Sequence, residues 1–354
     1  MPDIRLFLLW RSMDLLWPLR RMRCMKRRSF LVAAAAPLVT AAFPRALTAA
    51  TNGGGVVALV TADLESRIVA VDTSSGRIVK HIPTVPGPRS VEGNVFGQAL
   101  VAHTSLGRVS ILDTATLTVV AELAGLGEPR YTAMHPSERI AYVSDSKGES
   151  VIVVDLARRR IAGHVALPGP ARHLSLSDDG RRLWVVLGSK AGRVAILDAD
   201  NPLRPALRHT LVPPFLAHDV AWAPGSERVW LTSGARGKIA VYGRESATPL
   251  ALLRADAPPQ HVAFSRSRAY VTSGDDGTLS VHRLDGSAAG PAARVPVGSY
   301  NVSLSDPDTT FGQRLGVTPS LGGGTVCLFA ANGATRIMRR VARSAHDACI
   351  VEAG

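Results

Sequence analysis

Arginine and histidine recur in this chain at matching points of short triplets: Pro88-Arg89-Ser90, Pro129-Arg130-Tyr131, Ala171-Arg172-His173, Ala217-His218-Asp219, Pro259-Gln260-His261, Ser299-Tyr300-Asn301 and Ala345-His346-Asp347. Three Arg and four His in seven equivalent places are an uneven share of a chain that holds ten His. Guanidinium forks match carboxylates and phosphates, and converging positive charge focuses its field on an anion. Imidazole titrates near neutrality and can act as a base or ligate a metal. If the triplets open on one rim, the candidate ligand-binding residues are Arg89, Arg130, Tyr131, Arg172, His173, His218, His261, Tyr300, Asn301 and His346. The competing role for the same groups is to satisfy exposed backbone between neighbouring loops.

Convergence of His173, His218, His261 and His346 would also suit a metal or haem, but no spacing in the sequence supports that, so no metal and no cofactor is assigned. Asp219 and Asp347 each adjoin a His, and neighbours on a strand point to opposite faces, so no acid–base pair is expected there. No catalytic residue is assigned either. The chain lacks Cys-x-x-Cys-His, His-Glu-x-x-His, Gly-x-Ser-x-Gly and a Gly-Lys-Ser/Thr loop, and it lacks the tryptophan-docking repeats of quinone-dependent dehydrogenase propellers. Asp275-Asp276-Gly277 and Asp306-Pro307-Asp308 read as acidic turns rather than calcium loops.

The element that must position the triplets is a cadence of a turn glycine, an apolar run and a terminal Asp. Its clean copies are Gly107-Arg108-Val109-Ser110-Ile111-Leu112-Asp113 and Gly192-Arg193-Val194-Ala195-Ile196-Leu197-Asp198. Looser copies run Gly148…Asp155, Gly237…Gly243, Gly277…Arg283 and Gly324…Ala330, and Arg67…Asp72 lacks only the Gly. Seven copies at a period near 43 predict an all-β, seven-bladed propeller of four-stranded blades. In one repeat, His173–Ser177 alternates as a first strand, Asp178-Asp179-Gly180 turns, and Arg182–Leu187, Val194–Leu197 and Ala206–Val212 follow as strands. Val151–Val154 is apolar on both faces, as a strand covered by neighbouring blades should be. The last strand, Asp347–Val351, has nothing after it, and the Val56–Val60 repeat has no first strand before it. These fragments are expected to complete one blade, with the C-terminal strand innermost, so that the ring closes without edges.

Ala141-Tyr142-Val143-Ser144, Ala269-Tyr270-Val271-Thr272-Ser273 and Val229-Trp230-Leu231-Thr232-Ser233, each before a Gly turn and an apolar strand, resemble the YVTN-type seven-bladed β-propeller family over essentially all of 55–354. Ser stands where that motif has Asn, and Leu59-Val60-Thr61 and Leu100-Val101-Ala102 depart further. No Trp-Asp dipeptide occurs, which disfavours the intracellular WD-repeat subclass. The resemblance is specific for fold and implies little about function. Two classes follow: a non-catalytic binding or scaffold propeller whose small anionic ligand or protein partner sits at the channel rim, and a hydrolase or lyase similar to seven-bladed lactonases, with rim His as base and Arg as oxyanion stabiliser. Binding is the favoured expectation.

Residues 1–50 are a different object. Lys26-Arg27-Arg28-Ser29-Phe30-Leu31 and the apolar run to Phe43 read as a twin-arginine export signal over 25–50, and 1–24 as a leader upstream of the true start. The mature domain is then 51–354, a monomer in the periplasm or outside the cell, with no membrane span. Residues 1–50 carry nine Lys/Arg and two Asp/Glu, so the net charge of +13 falls to +6 in the mature domain and nucleic acid is not indicated. Cys327 and Cys349 would meet an oxidising compartment, where a disulfide is one outcome and buried thiols the other. The Gly-rich stretch from Gly298 to Gly322 is irregular in length, which suits an extended loop.

Overall fold

Four of the cadence glycines, Gly107, Gly237, Gly277 and Gly324, are left-handed hinges, whereas Gly192 is not at positive φ. Gly107 sits at φ +59°, where a Cβ would strike the Leu126 carbonyl oxygen, and Gly324 at φ +61°, where it would strike that of Ala342. The hinge carbonyl in turn pins the end of the blade's outer strand: Leu126 N–H donates to Gly107 O at 3.2 Å and Val341 N–H to Gly324 O at 2.8 Å. Where the repeat lacks this Gly, Ser66 at φ +51° and Glu149 at φ +45° take the same left-handed conformation. Their carbonyls accept from Thr84 N at 3.0 Å and Leu167 N at 2.7 Å. In that third blade the hinge is therefore Glu149, one place after the Gly148 of the sequence pattern. A residue held at positive φ is strained unless it is Gly, which is why the pattern is legible in most repeats.

A computed structural model describes residues 55–354 apart from 138, 236, 256 and 306–313. The export signal, the upstream leader and the Asp306-Pro307-Asp308 turn lie outside the described residues, as does the middle of the Gly298–Gly322 stretch. Among the described residues are seven antiparallel sheets of four strands each and almost no helix, so the chain is a seven-bladed β-propeller. No helix among the described residues is long and apolar enough to cross a membrane. The first blade joins Val56–Ala62, Arg67–Asp72 and Ile78–Pro83 to the C-terminal strand Ala348–Glu352, which pairs with Val56–Ala62 on its inner side. Ring closure thus runs as the unmatched end strands require.

The inner strands of blades two to seven are Pro88–Gly93, Pro129–Met134, Ala171–Leu176, Asp219–Ala223, Val262–Phe264 and Ser303–Leu304. The middle strands are buried on both faces, Ser150–Asp155 at every position. Apolar clusters fill the gaps between adjacent blades; one holds Val57, Leu59 and Ile68 of blade one against Val91, Val101 and Leu112 of blade two. A lone blade would expose both of these faces, so the ring is what makes each sheet stable. Cys327 and Cys349 are free thiols buried in different clusters.

Candidate functional site

Three consecutive blades carry the same irregularity at the same place. Pro88 pairs with His103 but Ser90 with Ala102, leaving Arg89 as an extra residue on the inner strand. Blades three and four likewise set Arg130 and Tyr131, and then Arg172 and His173, against single positions of the next strand. A bulge of this kind bends the strand and re-aims its side chains, and here each one carries an arginine, the three lying near enough for Arg130 and Arg172 to bear on Arg89. The three guanidinium groups are half-buried, and the Nε of each is enclosed without a hydrogen-bond partner. Burial first, and then the charges of Arg130 and Arg172, hold Arg89 below its ordinary value, with Tyr131 and Asp63 pulling the other way. Arg130 also forms an ion pair with Glu128 at 2.9 Å.

His173, His218 and His261, from blades four, five and six, form one cluster. One ligand atom from each lies within 4.8 Å of the others. Ring centroids are 4.6 Å apart for His173–His261, 5.0 Å for His173–His218 and 5.3 Å for His218–His261. Two outer contacts orient the rings. His218 Nδ1 lies 3.1 Å from the Ser189 carbonyl oxygen, which can only accept, so the proton belongs on Nδ1 and the Nε2 lone pair is free. His261 Nδ1 lies 3.4 Å from Asp219 Oδ2, an arrangement that likewise favours the proton on Nδ1. His173 is 2% exposed, and neither of its ring nitrogens has a hydrogen-bond partner. Burial, then the neighbouring His261, push His218 down to about 4; burial and the two other imidazoles push His173 well below its usual range. Tyr131 covers His173 on the other side, ring centroids 4.0 Å apart.

The opposite arc of the rim is stitched. Asn301 Nδ2 donates to the His346 carbonyl at 2.7 Å, and His346 Nδ1 lies 2.9 Å from Arg89 O. Tyr300 Oη donates to Asp275 at 2.9 Å, and Gln260 reaches the same carboxylate at 3.1 Å. His346, Tyr300 and Asn301 therefore bind blade to blade; His346 is not among the three converging histidines, while Asn301 lines the same cavity as His173 and His261. Asp219 and Asp347 serve as staples too, accepting from Val262 N at 3.1 Å and Val91 N at 3.0 Å on the next blade. The expectation that Asp219 has no histidine partner is corrected here: its own neighbour His218 does point elsewhere, but the next blade supplies His261. A strand-alternation argument cannot see across blades.

Behind the mouth lies a cavity of about 250 Å³ whose wall includes Glu92, Tyr131, His173, Asp219, His261 and Asp347. Sequence reasoning missed Glu92, although it stands two residues after Ser90 on the same face of the inner strand, a signal that alternation could have supplied. Burial raises Glu92 to about 7 despite hydrogen bonds from Thr132 and Met134, and Asp347 also to about 7. The site therefore combines three neighbouring arginines, a histidine cluster in which His173 and His218 are held neutral, and the carboxyl groups of Glu92 and Asp347, which are reluctant to ionise.

No family model matches this chain. It is 28% identical over 224 residues to the 6-phosphogluconolactonase of Pectobacterium atrosepticum, an alignment spanning 58% of this chain and 64% of that protein's length. A functionally unknown protein from Desulfotomaculum acetoxidans superposes with a TM-score of 0.72 at 13% identity, over 84% of this chain and 99% of the other. Apo AztD from Citrobacter koseri superposes with a TM-score of 0.65 at 12% identity, over 85% of this chain and 99% of the other. Those two likenesses concern the fold alone.

Proposed function

We propose that the mature domain is a binding protein that holds a first-row divalent metal, Zn²⁺ as the reference case, through His173, His218 and His261 at the mouth of its channel. The convergence of three ligand atoms within 4.8 Å of one another carries this reading. A tetrahedral zinc site needs nitrogens roughly 3.3 Å apart, given Zn–N bonds of about 2.0–2.1 Å, and small ring rotations close that gap. Burial keeps His173 and His218 neutral, and the Ser189 carbonyl and Asp219 carboxylate behind His218 and His261 are the outer contacts that orient metal-binding histidines. Three protein ligands leave a fourth position open toward the channel.

Equilibrium dialysis of the mature protein against Zn²⁺ is expected to give one bound equivalent, lost in His261→Ala and His218→Ala and kept in His346→Ala. No binding, or binding indifferent to all three substitutions, would refute the reading. The likeness of the repeats to the YVTN type and the Arg27-Arg28 signal support an exported location.

A second reading is favoured by the match to a 6-phosphogluconolactonase: hydrolysis of a sugar lactone, with His173 or His261 as base and the arginines on the anionic group. Turnover of 6-phosphogluconolactone by the metal-free protein, abolished by His173→Ala, is the outcome that would place it first.

A further inference from the structure

The arginines pose a problem for a bare cation. Arg172 adjoins His173 in sequence and bears electrostatically on both His173 and His218, and Arg89 and Arg130 stand on the next two blades. Asp219 is the carboxylate that reaches the histidine cluster, at 3.4 Å from His261. Glu128 takes up part of Arg130, Asp63 bears on Arg89, and Asp347 on both Arg89 and His261, yet the Nε of all three guanidinium groups remains buried and unpartnered. A dication at the histidines would therefore sit beside positive charge that these carboxyl groups compensate only in part, and like charges in an enclosed site repel strongly. Buried donors without acceptors are costly, so the same groups call for a ligand rich in oxygen lone pairs.

Both difficulties have one solution. We propose that the metal is carried as a complex with an oxyanion: a carboxylate or phosphate oxygen fills the open coordination position, and its remaining oxygens accept from Arg89, Arg130 and Arg172. This rests on the metal reading above. The oxyanion neutralises the mouth and bridges metal and guanidinium. Arginine suits the task better than lysine, because its planar fork presents paired donors to such groups. Tyr131 packs against His173 beside this seat.

The consequence is reciprocal coupling. If the anion strengthens metal binding by some factor, the metal must strengthen anion binding by the same factor. Co²⁺ makes this measurable, because its visible spectrum reports its ligands. Titration of the mature protein with Co²⁺ is expected to give an affinity at least ~10-fold tighter in inorganic phosphate or in citrate than in chloride, with a spectral change on adding the anion. Comparison of the phosphate and citrate arms assigns the ligand to one chemistry or the other.

The variant Arg89→Gln/Arg130→Gln/Arg172→Gln is expected to reverse the sign: Co²⁺ alone binds more tightly, and the anion no longer helps. Arg130→Gln by itself, at the arginine already shared with Glu128, guards against a triple variant that fails to fold, and it should lose part of the coupling. Normal Co²⁺ binding with no anion effect would overturn the proposal while leaving the metal site intact. An absence of Co²⁺ binding in every buffer would sink the metal reading, and this inference with it. Binding of Co²⁺ only when an anion is present would support both.

Discussion

Deleting Ala348–Gly354 should open the ring, and the size of the effect can be worked out. The strand supplies five register pairs to Val56–Ala62. It also places Cys349 and Val351 in the cluster between blades one and two, with Ile350 packed on the opposite face. Burying a side chain of Val or Ile size is worth about 1.5–3 kcal/mol, and each net hydrogen bond about 1 kcal/mol. Loss of the strand therefore removes roughly 8–11 kcal/mol, comparable with the whole ~5–15 kcal/mol margin of a typical domain. It also uncovers Val57, Leu59 and Val91 and leaves the inner edge of blade one unpaired.

Urea unfolding and limited proteolysis are the assays: the truncated protein should be largely unfolded or rapidly cut near its N-terminal blade, and a peptide spanning 344–354 added in trans should restore protection. A sharper check lies at Gly93, where a Cβ would strike Val351 Cγ1. Gly93→Ala should destabilise the parent and be nearly harmless in a Val351→Ala background. A truncated protein melting within a degree or two of the parent, or equal Gly93→Ala costs in both backgrounds, would refute the reasoning.

The pH response should turn on Glu92, whose folded-state value of about 7 stands above its ordinary 4.5. The folded state holds that proton more tightly, so the contribution is full below about 4.5 and is lost as pH rises through 7. Glu92→Gln should thus gain stability relative to the parent between pH 5 and 8, by about 1–3 kcal/mol, and parallel melting curves at both pH values would count against this. Asn301→Ala should cost about 1–3 kcal/mol without altering metal uptake, because its amide stitches blade seven to the His346 backbone; unchanged unfolding would show that arc to be dispensable. Arg27→Lys with Arg28→Lys should strand the precursor in the cytoplasm, as cell fractionation would report, and normal export would remove the twin-arginine assignment.

The fold was legible because its causes are local and repeated. A left-handed hinge selects glycine and an apolar run covered on both faces selects aliphatic residues; the run recurs in every blade and the hinge in six of the seven. Ser66 and Glu149 show the limit of that legibility: they adopt the same hinge conformation without the residue that announces it. The closing strand was legible as well, since an inner strand without a blade and a blade without an inner strand can only complete each other.

The site was legible as a set of residue types at equivalent places. How that set divides was decided by the tertiary structure. His218 stands one place earlier in its triplet than His173 and His261, yet it joins them, whereas His346, in the same place as His218, is drawn away by Arg89 O and Asn301. Bulges in blades two, three and four aim the arginines, and no residue in the triplets announces a bulge. Sequence spacing records where a residue falls within its own blade. Convergence depends on the rotation between blades and on which neighbour satisfies a polar group first, and those are properties of the closed ring.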